Sequence, residues 1–183
     1  MRKLILFAVL TLSYFFLNTP VWAQQVAGHS AVISYNENTT NTLKDLTIKK
    51  IVIRRVLEKF QSPLVSETDS FVNFCHFYQI DCYLLPSITG LESFFGRFTY
   101  PNSYNPFGWG GGYIKFENWE SGIGTVAKGL KENYYNKGAD SVEKIAPIYA
   151  ESQTWAVRVN YFKSIFQNEE EKVNLLLSKN EVE

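Results

Sequence analysis

From Leu46 onward an apolar side chain returns at every third or fourth position. Ile48, Ile51, Val52, Val56 (with Leu57) and Phe60 carry the pattern, with Lys49, Lys50, Arg54 and Glu58 between them. This is the period of a helix with one buried face, and Ser62-Pro63 stops it. A second helix is predicted from about Glu67 to Tyr78, with Phe71, Phe74, Cys75 and Tyr78 as its stripe. A third begins near Asp81 or Cys82 and carries Leu84, Leu85, Ile88 and Leu91. Pro86 is tolerated only in its first turn, where a missing N–H costs nothing, and Gly96 is a natural cap at its end. Asn118 reads as the N-cap of a fourth helix, with Trp119, Ile123, Val126, Ala127 and Leu130 inward. A fifth spans about Ser141 to Tyr149. A sixth follows Gln153-Thr154, with Trp155, Val159, Phe162 and Phe166 on one face.

Two stretches break the rhythm. Residues 24–45 are polar and show no hydrophobic period, which predicts a flexible linker. Residues 97–116 are crowded with Pro and Gly, which forbid a regular helix. Gly110-Gly111-Gly112 there suits the turn of a short hairpin, with Tyr113 to Phe116 as its return strand. The expected fold class is mainly α, one helical domain interrupted by an aromatic, Gly-rich hairpin or loop.

The N-terminus follows different rules. Arg2 and Lys3 precede an apolar run from Leu4 to Leu17, and Val21-Trp22-Ala23 fits a cleavage site for export. The run falls short of the roughly 20 residues a spanning helix needs; the alternative is an uncleaved anchor. Either way the remainder is expected to be exported, periplasmic or extracellular. The formal charge of zero is then an average: removing residues 1–23 takes 18 basic groups to 16 against 18 acidic ones, a net −2. Such a balance argues against a nucleic-acid partner, whose phosphates need a basic face.

Only two His and two Cys occur in 183 residues. A zinc site needs about three protein ligands, usually with His among them, so neither a metal nor another cofactor is expected. Cys75 and His76 are neighbours and would point about 100° apart on a helix, so they do not form a nucleophile–base pair. Ser93 is not in a G-x-S-x-G elbow, and the glycine run lacks the Lys-Ser/Thr of a phosphate loop. In an oxidising compartment Cys75 and Cys82 can form a disulfide. A continuous helix would hold them ~10 Å apart, beyond the ~7 Å limit for a bridge. Bridging therefore requires a turn, for which Gln79-Ile80-Asp81 is the place. The alternative is two thiols packed as small hydrophobes.

Carboxylates remain. Glu92 lies between Leu91 and Phe94-Phe95, just before the third helix ends. Burial among these neighbours would hold it protonated near neutrality, as a general acid requires; the alternative places it on the solvent side of an amphipathic helix. Its surroundings favour chemistry. Residues 94–119 hold ten aromatic side chains, where the chain average of 16% would put about four. Aromatic faces beside amides such as Asn102 and Asn105 suit a sugar ring, which offers an apolar face and a rim of hydroxyls.

The run Leu85-Pro86-Ser87-Ile88-Thr89-Gly90-Leu91-Glu92-Ser93-Phe94-Phe95-Gly96 resembles the catalytic helix of the lysozyme superfamily. Asn105-Pro106-Phe107-Gly108-Trp109, then Gly112-Tyr113 to Phe116 and Trp119, is similar to the Asn-x-Phe-Gly segment and following hairpin of bacterial endo-β-N-acetylglucosaminidases. Ile148-Tyr149-Ala150, followed by Trp155-Ala156 and Val159, resembles that family's C-terminal helices. The resemblance covers about residues 65–168. It implies a lysozyme-like fold, a monomer, and a glycosidase that cuts β-1,4 bonds in peptidoglycan or a related N-acetylglucosamine-containing glycan. Glu92 would be the general acid, with Ser93, Asn105, Phe107, Trp109, Tyr113 and Tyr149 holding the saccharide.

Glycosidases usually employ a second carboxylate. No Asp or Glu lies between Glu92 and Glu117, so Glu117 is the candidate, with Glu120 behind it as an ordinary first-turn acid. Without a second carboxylate, the substrate's N-acetyl group could assist. Alternatively, Glu92 alone could act as acid then base while a substrate hydroxyl attacks, giving a 1,6-anhydro product as in lytic transglycosylases. A different class of function, a non-catalytic module binding glycan or a wall-assembly partner, fits the same scaffold. A third reading, a structural domain with a large aromatic core, requires the 94–119 aromatics to be buried. The expected organisation is a signal at 1–23, a linker at 24–45, the helical domain at 46–168 and a charged tail at 169–183.

Overall fold

The computed structural model describes residues 37–180; the expected signal segment and the first part of the linker lie outside them. Among the described residues there are six α-helices and no strand: α1 (Glu37–Lys59), α2 (Thr68–Tyr78), α3 (Leu84–Ser93), α4 (Trp119–Asn133), α5 (Val142–Tyr149) and α6 (Trp155–Asn180). The mainly α class is as expected. No helix among the described residues is long and apolar enough to cross a membrane.

The core is built around α3. Leu84 to Gly90 and Ser93 are all buried, and α6 packs along the helix. The approach is close: a Cβ on Gly90 would lie 2.6 Å from the Phe162 ring. The buried hydroxyls are satisfied within the helix, Ser87 Oγ donating to Tyr83 O at 2.5 Å and Thr89 Oγ1 to Pro86 O at 2.8 Å. Pro86 is the third helical residue, where no intrahelical N–H bond is lost. Helix α1 lies against α6, α2 against α1 and α4, and α5 against α6. Asn118 caps α4 reciprocally with Ser121, and Ser141 caps α5.

Three expectations are corrected. Helix α1 begins at Glu37, so residues 37–45 are not a linker. Residues 39–45 are exposed, so they had no stripe to show; propagating a helix outward from a packed segment is far cheaper than nucleating one. The charged tail is also helix. Glu170 pairs with Lys49 at 2.6 Å and Glu169 with Arg55 at 3.4 Å, both across to α1, and Val173 is buried beyond them. Finally, residues 110–113 form turns and 114–116 are irregular, with no strand pairing to make a hairpin. Gly108, Gly110, Gly111 and Gly112 all take positive φ, and the segment is anchored by Phe116 N–H donating to Ser103 O at 2.8 Å.

Cys75 and Cys82 form a disulfide with their Cα atoms 4.9 Å apart. The required turn is present: Gln79 closes α2 in the left-handed region, φ 52°. The bridge closes a loop with a sequence separation of 7. Replacing both cysteines by Ala should lower the unfolding free energy by about 2 kcal/mol, read from urea denaturation against the oxidised wild type. An unchanged midpoint would contradict a stabilising bridge.

Candidate active site

The site begins where α3 stops. Phe94, Phe95 and Gly96 are left-handed in succession, φ 49°, 60° and 80°. Only glycine takes this conformation freely, so the two phenylalanines are held by their surroundings. Phe95 is fully buried against Phe60, Phe162 and Phe166. Its N–H donates to Thr89 O at 2.9 Å, and its carbonyl accepts from Ser62 Oγ at 2.7 Å. The reversal leaves Glu92 on the last turn of an otherwise buried helix, facing the loop that follows. The expected burial of Glu92 is overturned: its side chain is exposed, because Leu91, Phe94 and Phe95 diverge around the helix end rather than closing over the carboxylate.

Two side chains set the loop opposite it. Ser93 Oγ lies 2.7 Å from Pro106 O and 3.1 Å from Thr89 O, and accepts from Gly96 N–H at 2.9 Å. Asn105 is buried. Its Oδ1 accepts from Trp109 N–H at 3.0 Å, while Nδ2 donates to Trp109 O at 2.9 Å and Ile114 O at 3.0 Å. The Asn105 amide is thus committed to the loop's own backbone.

Between helix end and loop lies a cavity of about 350 Å³, lined by Glu92, Ser93, Phe98, Thr99, Tyr100, Asn105, Gly108, Gly111, Gly112 and Tyr113. Glu92 is the only charged residue in this lining. Phe98, Tyr100 and Tyr113 are 73%, 66% and 88% exposed, so their faces are open to a ligand. A larger groove, about 550 Å³, runs between α1 and α6; it carries five charged residues, of which Arg55 and Lys172 pair with Glu169, beside Glu58 and Lys59.

Behind Glu92 stands an aromatic stack. Trp155, at the start of α6, is buried and donates Nε1–H to Glu92 Oε1 at 2.8 Å. Its ring lies 4.8 Å from that of Tyr149, whose hydroxyl donates to Phe107 O at 2.9 Å. Burial, and then the nearby charge of Glu92, push the Tyr149 phenol well above its ordinary value, so it stays a donor.

The structure divides the expected site residues. Glu92 and Tyr113 meet at the cavity. Ser93 and Asn105 line it but spend their hydrogen bonds on the backbone. Phe107 is fully buried and belongs to the core, a correction to its expected contact with saccharide. Trp109 is half-buried against Gly129 of α4 and does not line the cavity; a Cβ on Gly129 would meet its ring at 2.7 Å. Tyr149 sits behind the carboxylate rather than in front of it. Glu117 is exposed before α4 and is not part of the cavity. Phe98 and Tyr100 are among the ten aromatics of residues 94–119 and Gly108 closes the Asn-x-Phe-Gly segment, but the sequence assigns none of them to the site. The sequence places Trp155 on the inward face of α6 and within the resemblance to the C-terminal helices; the signal for its bond to Glu92 is that a buried indole N–H needs an acceptor. Among the described residues no group of three or more His, Cys, Asp or Glu could hold a metal ion. A scan of protein-family models and a search of curated proteins found no match to the chain.

Asn105→Ala leaves three loop backbone groups without their partner. It should destabilise the domain by about 2–3 kcal/mol and raise hydrogen exchange at the Trp109 amide; unchanged exchange there would refute this role. Tyr149 predicts an alkaline dependence. Its folded value exceeds the free phenol's, so the unfolded chain loses the proton first. Stability is full below about pH 10 and declines above it, and urea midpoints from pH 8 to 11 should fall less steeply in Tyr149→Phe.

Proposed function

We propose that the chain is an exported, lysozyme-like glycosidase that cleaves β-1,4 bonds of peptidoglycan glycan strands, resembling endo-β-N-acetylglucosaminidases, with Glu92 as general acid. The observation that carries the reading is a lone carboxylate, held by a buried indole, in an open cavity edged by Phe98, Tyr100 and Tyr113. The volume falls within the range of small-ligand sites, and exposed aromatic faces suit the apolar faces of sugar rings. A buried helix with the carboxylate on its last turn supports the lysozyme-like part of the reading. The disulfide supports export, since such bridges persist in oxidising compartments.

In this reading Glu92 gives its proton to the glycosidic oxygen as the bond from C1 breaks. The absence of another charged residue from the cavity lining, Glu117 included, favours a single-carboxylate course. A hydroxyl of the substrate's own sugar attacks C1, its proton returns to Glu92, and a 1,6-anhydro end forms without consumption of water. Hydrolysis with an assisting N-acetyl group gives a reducing end instead, and mass spectrometry of the products separates the two.

Glu92→Gln keeps the size and the hydrogen bond from Trp155 but carries no acidic proton. It should fold as the wild type and lose at least about 100-fold of its wall-cleaving rate in a turbidity assay on purified peptidoglycan. Undiminished cleavage would sink the assignment. A wild-type chain that binds wall without clearing it would instead be the glycan-binding module the scaffold also allows.

A further inference from the structure

The two oxygens of Glu92 have different surroundings. Oε1 accepts from the Trp155 indole at 2.8 Å. Oε2 is turned to Gly108, where a Cβ would lie 3.4 Å from it. An indole N–H is a donor only, and the carbonyl oxygen of a protonated carboxyl is a better acceptor than its hydroxyl oxygen. We propose that Trp155 is a positioning residue that holds Oε1 as the carbonyl oxygen and leaves Oε2, beside Gly108, as the atom that delivers the proton. The proposal rests on the glycosidase reading and deepens it.

The geometry supports this from both sides of the carboxylate. Trp155 is 3% exposed and packs against Tyr149, the two rings tilted by 30°, so its N–H has one direction available. Tyr149 in turn donates to Phe107 O, the carbonyl of the peptide that leads into Gly108. One tyrosine therefore braces the indole on Oε1 and the backbone beside Oε2. Gly108 is left-handed, φ +62°, and any side chain there would fill the space into which Oε2 opens. An exposed Glu otherwise samples several rotamers; tethering one oxygen removes that freedom before substrate arrives, and misplacing a reacting group by about 1 Å can cost about 100-fold. Tyr149 from α5 and Tyr100 and Tyr113 from the loop are the titratable groups facing Glu92, and all three are phenols.

The first test uses the intact fold. In ¹⁵N-labelled wild type, the Trp155 indole N–H resonance should shift as Glu92 ionises, and that shift should be absent in Glu92→Gln. A wild-type indole that does not respond overturns the proposal. The second test is Trp155→Phe, which keeps a packed ring and removes the donor. Cleavage should fall about 10- to 100-fold in kcat with KM within about twofold. Unchanged kcat overturns the proposal, and so does a loss confined to KM. The indole measurement needs no turnover, so the two ideas fail separately. A wild type that cleaves nothing refutes the glycosidase reading while the indole shift still tests the tether. A wild type that cleaves, with Glu92→Gln inactive and Trp155→Phe at full rate, refutes the tether alone.

Discussion

The Ser93 hydroxyl joins the two halves of the molecule that matter for the site. It sits on the last residue of a helix that is buried almost all round, and it reaches both the Pro106 carbonyl of the loop and the amide of Gly96 beyond the helix end. The hydroxyl could be satisfied by Thr89 O within the helix, but its shorter contact, 2.7 Å, is to Pro106 O, which ties the loop to the helix end. Glu92, one residue earlier, is thereby fixed at the junction. Two left-handed phenylalanines and a left-handed glycine follow, and the strain of the phenylalanines is offset by burial of Phe95. Strain concentrated beside a carboxylate is a common companion of function.

The aromatic residues that crowd this region play three separate parts. Phe95 and Phe107 fill the core. Trp109, Tyr149 and Trp155 form a packed layer behind the carboxylate, two of them hydrogen-bonded through their polar ends. Phe98, Tyr100 and Tyr113 remain open on the cavity side. A purely structural aromatic core would have buried the last group, and an indiscriminate sugar-binding surface would have exposed the first two. Phe98 and Tyr100 follow the left-handed reversal at 94–96 and Tyr113 follows the glycine run, whereas Phe107, between them, turns into the core.

Electrostatics act locally. The slight negative charge expected after export offers no general attraction to an anionic wall, and recognition would rest on aromatic faces and shape. The acidic run near the C-terminus serves α1: Lys49 and Arg55 meet Glu170 and Glu169 across the helix pair. Such half-exposed pairs contribute little individually, but they flank the apolar contact between α1 and α6.

Helical periodicity, capping residues and the Pro and Gly punctuation were enough to locate α2 through α5, the cap at Asn118, the turn that permits the disulfide, and the carboxylate left once His and Cys are too few for other chemistry. These are local properties, set by which residues can sit at a cap, a turn or a buried face. Residues 37–45 carry no stripe, so their continuing α1 was not legible; in α6 the glutamates at 169–171 interrupt the stripe that Val173 and Leu177 resume. The sequence could not show that Asn105 and Ser93 serve the backbone, or that Trp155 holds one oxygen of Glu92. Those depend on distance between residues as much as 63 positions apart, and such distances exist only once α3, the loop and α6 have packed around one core.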